Sequence, residues 1–211
     1  DRKSSLRATV KYGSFNRKDT YVSGSKLKGK NWLFSAFGSF RQADGNYNYT
    51  FLNGLTEFEG ERKNNDYRDL YFGAQVQYKT KEGRRFYVGY KGSTIQQGLP
   101  GAVILYNETA DERLKTNDNL IYGRAHWIYK KVGFNVYGNA NQNNLNYNDP
   151  TYLNTAGKIN VDYLNRNATL GLKFQRQQFQ NYVFEGGIEQ TASNLVSSDS
   201  SLSNPIRFHS K

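Results

Sequence analysis

Apolar and polar residues alternate with a period of two along most of this chain, and that constrains the fold more than any other feature. Successive side chains of an extended strand point to opposite faces, whereas a helix repeats about every 3.6 residues. Leu70, Phe72, Ala74, Val76 and Tyr78 alternate with Tyr71, Gly73, Gln75 and Gln77. Phe86, Val88 and Tyr90 alternate with Tyr87, Gly89 and Lys91, and Ile121, Gly123, Ala125, Trp127 and Tyr129 with Tyr122, Arg124 and His126. The same rhythm carries Phe134, Val136, Gly138 and Ala140 against Asn135, Tyr137, Asn139 and Asn141, then Ala168 to Phe174, then Tyr182 to Ile188. Leu6 to Tyr12 and a strand through Asp19 to Ser25 open the chain, and Trp32 to Phe40 follows, with Leu33 and Phe37 blurring its alternation. These segments predict nine strands, and Ile206-Arg207-Phe208 reads as the start of a tenth.

The connections alternate too. Short ones run over Lys26 to Lys30, Lys79 to Arg84, Lys130 to Gly133 and Arg176 to Gln180, with a tight link near Asn16. Long ones lie between them, at Gln42 to Asp66, Gly98 to Asp118, Tyr147 to Asn160 and Ser193 to Asn204. All the long connections therefore emerge on one side of an up-and-down antiparallel sheet.

Such a sheet could pack in a sandwich, wrap a ligand as a soluble barrel, or close in a membrane with its apolar face toward lipid. Soluble barrels turn the apolar face inward, where this chain would have to place Asn, Gln, Gly, Ser and Lys. An outer-membrane barrel puts polar residues in the lumen, short turns on the periplasmic side, longer loops outside and aromatic girdles at the interfaces. Trp32, Tyr78, Phe86, Tyr129, Phe134, Phe174 and Tyr182 all lie within a few residues of a short turn, as a periplasmic girdle would. The reading is thus an all-β, antiparallel up-and-down transmembrane β-barrel.

Composition narrows the alternatives. No stretch approaches the ~20 consecutive apolar residues of a membrane-spanning helix. With 17 Tyr and 13 Phe in 211 residues the chain is too aromatic for a disordered segment. There is no cysteine, hence no disulfide framework or thiolate site. The net charge of +11 invites a nucleic-acid reading, but the cations fall at turns and on single strand faces instead of forming one basic patch, so nucleic acid is not expected as a partner. The chain contains no Met and opens Asp1-Arg2-Lys3, which reads as a processed or excised piece. It is expected to be one arc of about nine to ten strands, residues 1–211 all belonging to a single barrel domain.

Four motifs, in order, resemble the TonB-dependent receptors of the Gram-negative outer membrane. They are Val10-Lys11-Tyr12-Gly13-Ser14-Phe15-Asn16, Phe40-Arg41-Gln42-Ala43-Asp44-Gly45-Asn46-Tyr47, Asn64-Asn65-Asp66-Tyr67 and Gly98-Leu99-Pro100-Gly101-Ala102-Val103. The run Leu99 to Asn107 is similar to members from the Bacteroidetes. The resemblance covers nearly the whole chain and corresponds to the first half of the barrel. It implies a barrel of about 22 strands around an N-terminal plug, lodged in outer-membrane lipid and energised through that plug by the TonB complex. It also implies active uptake of a scarce nutrient such as an iron-siderophore, haem or cobalamin, with a surface lipoprotein as a further candidate partner. The plug and later strands are not found in this sequence. The alternative is a passive porin-like or adhesin barrel complete in itself.

No catalytic constellation is visible: His126 and His209 stand far apart, and no Ser/His/Asp grouping occurs, so an enzyme is not expected. Expected ligand-contacting aromatics on the outer loops are Tyr47, Tyr49, Phe51, Phe58, Tyr106 and Tyr152, because aromatic-lined concavities are usual ligand sites. Alternation places Arg41, Gln75, Lys91, Arg124, His126 and Asn139 on the polar, lumen-lining face. No cofactor or metal site is expected, apart from Glu57, Glu59 and Glu61, which share one side of an extended segment and could present oxygens to calcium.

Overall fold

A computed structural model of the chain describes residues 4–100, 110–152, 157–179 and 182–198. It contains strands β1 (Ser5–Gly13), β2 (Arg17–Lys28), β3 (Trp32–Ala43), β4 (Tyr47–Asn53), β5 (Thr56–Arg62), β6 (Tyr67–Lys79), β7 (Arg85–Leu99), β8 (Glu112–Tyr129), β9 (Val132–Asp149), β10 (Ile159–Phe179) and β11 (Tyr182–Ser197). Nine of them form one antiparallel sheet in the order β1-β2-β3-β6-β7-β8-β9-β10-β11, and β4 pairs with β5 as a separate hairpin. The nine expected strands are thus the nine of the sheet. The expected tenth, at Ile206 to Phe208, lies outside the described residues.

Two expectations are corrected. The segment Gln42 to Asp66 is not an irregular loop: it carries the β4–β5 hairpin, turned by Gly54 and Leu55, with Gly54 at φ +67 as a type II′ loop requires. The strands also run further toward the long connections than alternation indicates. β7 continues to Leu99, β8 begins at Glu112, β9 ends at Asp149 and β10 begins at Ile159. β8 and β9 each have 18 residues, roughly 60 Å of chain, where a tilted crossing of a bilayer takes about 9–11.

The short turns are tight. Lys130 and Lys131 sit at φ 46 and 67, and Phe15 and Asn16 at φ 59 and 54. Paired positive φ values give the type I′ twist that matches flanking strands. In the turn after β6, Thr80 N–H donates to the Arg84 carbonyl at 2.9 Å. The Glu82 carboxyl there is held below its usual range by its own backbone N–H and then by the Thr80 hydroxyl. A depressed folded value stabilises the turn above the unfolded Glu pKa of about 4.3. That contribution is lost as pH falls through the lower folded value. Thr80→Ala is expected to raise the Glu82 midpoint toward the unfolded one in a carboxyl-carbon NMR titration.

Register aligns the alternation of one strand with the next. One face reads Trp32, Tyr78, Phe86, Ala125, Val136, Leu172 and Ile188 along a rung, and Phe34, Val76, Val88, Gly123, Gly138 and Leu170 along the next. A third rung is Ala36, Ala74, Tyr90, Ile121, Ala140, Ala168 and Ala192. No second layer covers this face among the described residues. Val88 is 60% exposed, Leu170 66% and Ile188 73%, and Ala43 is the sole buried apolar residue described.

Beyond the third rung the polarity inverts on β8 to β10. The formerly apolar face continues as Asn119, Gln142 and Arg166, then Asn117 and Asn144 with Leu164 as the apolar exception, then Lys115, Asn146 and Asp162. The opposite face, polar up to there apart from Leu120 and Ile128 on β8, now carries Leu114, Leu145, Tyr147, Val161 and Tyr163. The apolar band on β8, Tyr129 to Ile121, spans eight residue steps, about 26 Å along the strand.

Candidate functional site

Two regions gather the residues that sequence singles out. The first is a cavity of about 920 Å³ on the polar face, at the short-turn end of β6, β7 and β8. Four of the six expected lumen residues line it: Gln75 from β6, Lys91 from β7, and Arg124 and His126 from β8. They meet because Gln75 pairs with Gly89, and Gly89 in turn with Tyr122. Asn139 pairs with Tyr122 from β9 and so shares the face beside the cavity. Arg41 is placed elsewhere, on β3, where its Nε donates to Asp69 at 2.9 Å and the Asp69 carboxylate is buried.

Tyr122 organises the cavity. Its ring covers Gly89, where a Cβ would collide with it, and its hydroxyl donates to Gln75 Oε1 at 2.9 Å. Lys91 Nζ stands 5.5 Å over that ring, a cation–π distance, and Tyr87 meets the ring edge-on at 6.2 Å. The device recurs at Tyr137, which covers Gly171, hydrogen-bonds to Glu189 and carries Lys173 at 5.4 Å. On β3 and β6 Phe37 covers Gly73 and packs on Tyr71 at 5.0 Å. That accounts for the blurred alternation of β3, since Phe37 is an apolar residue on the polar face.

The cavity wall is cationic. Lys79, Arg85, Lys91 and Arg124 line it together with His126, and no carboxylate does. Arg124 donates to the amide oxygen of Asn135, a neutral partner. None of the four forms an ion pair among the described residues. Asp118, one rung beyond Leu120 on β8, accepts a hydrogen bond from Asn143 instead. Sequence reasoning missed Tyr87, Tyr122, Lys79 and Arg85 as members of a site, because only the cross-strand register brings them together.

The second region is the rim at the long-connection end. Tyr47, Tyr49, Phe51 and Phe58 occupy one face of the β4–β5 hairpin, with Tyr49 to Phe51 at 6.1 Å and Phe51 to Phe58 at 5.2 Å, both stacked. Tyr47 also meets Phe15 edge-on at 6.4 Å. Glu57, Glu59 and Glu61 share the other face with Asn48, Thr50 and Leu52. Among the described residues no three Asp, Glu or His side chains come together as a metal-binding group, and Glu61 lies 3.6 Å from Lys63. Tyr152 is half-exposed on the β9–β10 connection, three strands along the sheet from β6. Tyr106 lies outside the described residues.

The rim also shows why three of the sequence motifs take their form. The segment after β5 is clamped between the ends of β3 and β7. Asn65 Nδ2 donates to the Gly45 carbonyl at 2.9 Å, and Gly98 N–H donates to the Asp66 carbonyl at 2.8 Å. Asn64, at φ 56, donates from Nδ2 to the carbonyls of Leu99 (3.2 Å) and Glu112 (2.8 Å). Arg113 closes the clamp on Asn64 Oδ1 at 2.8 Å and on Asp66 at 2.5 and 3.1 Å. Gly45 and Gly98 leave the space in which backbone meets backbone. No known protein-family profile matches the chain, and no curated protein matches it.

Proposed function

We propose that this chain forms part of the wall of an outer-membrane β-barrel transporter of the TonB-dependent receptor type, taking up a scarce small-molecule nutrient. The polarity inversion along β8, β9 and β10 carries the reading. A sheet of a soluble sandwich keeps one face buried along its whole length. A strand that leaves a bilayer meets lipid over one stretch and water over the next, so its outward face turns polar at the boundary. Here the outward face changes from Ile121, Ala140 and Ala168 to Asn119, Gln142 and Arg166 within a single rung. The apolar band is of the same order as the ~25 Å band of outer-membrane barrels once strand tilt is allowed for. Trp32, Tyr78 and Phe86 close its short-turn edge, with Trp32 and Tyr78 at 4.5 Å.

In this reading the polar face lines an aqueous interior, the short turns are periplasmic, and the aromatic hairpin stands at the extracellular rim where a nutrient is captured. Energy coupling belongs to a plug contacting the TonB complex.

The chain has no cysteine, so single-cysteine variants are clean probes of facing. Gln75→Cys and Asn139→Cys in the full-length protein in outer membranes are expected to react with a small, membrane-impermeant maleimide. Val88→Cys and Leu170→Cys are expected to resist it and to react only with a lipid-soluble analogue. The opposite pattern would overturn the membrane reading.

A further inference from the structure

We infer that the short-turn cavity on β6 to β8 is a binding site for a small polyanion, a molecule presenting two or three carboxylate or phosphate oxygens. The inference deepens the transporter reading and rests on it in one respect, that the polar face lines an aqueous interior. Lys79, Arg85, Lys91 and Arg124 put four positive charges around about 920 Å³, and no Asp or Glu lines that space. Elsewhere on this face Arg17 pairs with Asp19 at 2.7 Å and Arg41 with Asp69. Arg7, Lys11 and Lys173 form no ion pair among the described residues, but each lines a concavity that an Asp or Glu also lines. The nearest acid along β8, Asp118, is held by Asn143; Glu185 and Glu189 line the neighbouring concavity that Arg124 and His126 share, and Glu189 accepts there from Tyr137. Like charges converging on one concavity raise the local potential and concentrate counter-ions there.

The neutral groups fit the same ligand class. Tyr122 holds Lys91 over its ring and fixes Gln75, so the ammonium is positioned before anything binds. Arg124 spends its Nε on Asn135, which aligns the guanidinium and leaves its terminal nitrogens for paired oxygens. The volume suits a small molecule. The site lies at the opposite end of the strands from the aromatic hairpin, so it is a second station and not part of the rim.

Calorimetry on the purified full-length protein in detergent tests this with citrate, pyrophosphate and sorbitol as probes. Citrate or pyrophosphate is expected to bind, more weakly as salt is raised, while sorbitol does not. Whichever anion binds more tightly assigns the oxygens to carboxylate or phosphate. In the double variant Lys91→Gln/Arg124→Gln the affinity is expected to fall at least tenfold. Arg124→Lys, which keeps the charge and loses the fork, should fall less. Lys115→Gln/Arg166→Gln removes the same net charge from the other face and should leave binding unchanged. Binding of neither anion to the wild type would overturn the proposal, as would equal binding to both double variants. Failure of the membrane reading shows separately, in the maleimide pattern, because calorimetry in detergent is indifferent to which face meets lipid.

Discussion

Arginine at Val88 or Leu170 is expected to cost about 2–4 kcal/mol of stability in a bilayer, the range for a cation on the lipid face near the midplane of an outer-membrane barrel. Both residues stand on the rung formed by Phe34, Val76, Val88, Gly123, Gly138 and Leu170, which carries no polar side chain. The nearest polar side chains on that face of β8 to β10 are two rungs away, at Asn119, Gln142 and Arg166. A guanidinium at Leu170 must therefore stretch toward that boundary or draw water into hydrocarbon. The cost should fall with depth, being smaller at Ala168 and close to zero at Asn144, which shares the face but lies beyond the boundary. Gln75→Arg, on the polar face, should cost far less than Val88→Arg. Urea titration of refolding into lipid vesicles, followed by the heat-dependent shift in gel mobility, gives each value. Equal midpoints for Val88→Arg, Gln75→Arg and Asn144→Arg would remove the basis for a lipid-facing band.

The alternation of residues makes this band legible because, in the proposed setting, lipid on one face and an aqueous interior on the other demand opposite chemistry at every second position. Where that demand ends, the signal ends. Arg113 to Asn119 on β8 and Asn141 to Asp149 on β9 are strand, yet their few apolar residues, Leu114, Leu145 and Tyr147, stand out of phase with the apolar band among many Asn, which is poor in intrinsic strand preference. Alternation therefore marks the edge of the apolar band and not the ends of the strands. The β4–β5 hairpin is a different failure. Tyr47, Tyr49 and Phe51 alternate, and Gly54 supplies the positive φ that the first position of a type II′ loop needs, so the local sequence contains it. Length conceals it, since a segment of that size between two wall strands reads as one loop.

The sites divide the same way. Gln75, Lys91, Arg124 and His126 can be assigned a face from parity alone, but their convergence on one cavity needs the register that sets Gln75 opposite Gly89 and Gly89 opposite Tyr122. The pairing of Tyr122 with Gly89, and of Tyr137 with Gly171, leaves no trace in either strand taken singly.

The rim clamp sets the last expectation, and three glycines separate its two causes. Gly29 has φ +62, and nothing lies within 4 Å of where a Cβ would stand, so Gly29→Ala bears only the left-handed backbone cost, about 1–2 kcal/mol. Gly98 shows no positive φ, but a Cβ there meets the backbone carbonyl of Asn64 and its Oδ1. Gly98→Ala therefore bears only the collision. Gly45 bears both: φ is +66 and a Cβ runs into the Asn65 carbonyl, a backbone group that cannot rotate away. Relief requires the Asn64 to Asp66 segment to leave the ends of β3 and β7, with loss of the Asn65 to Gly45 hydrogen bond, itself worth about 1 kcal/mol. Beyond the clamp, Tyr47 on Phe15 and the Asn16 to Asp44 hydrogen bond tie the hairpin to the β1–β2 turn, and an isolated two-stranded hairpin is marginal in water. Gly45→Ala is thus expected to free the hairpin while the wall stays folded. Limited proteolysis of intact cells, read by mass spectrometry, should show new cuts between Asp44 and Asn65 in Gly45→Ala, fewer in Gly98→Ala, and the wild-type pattern in Gly29→Ala. If the hairpin captures a nutrient as proposed, that capture should weaken in the same order. A Gly45→Ala protein as resistant as Gly29→Ala would mean that the hairpin does not depend on the clamp for its place at the rim.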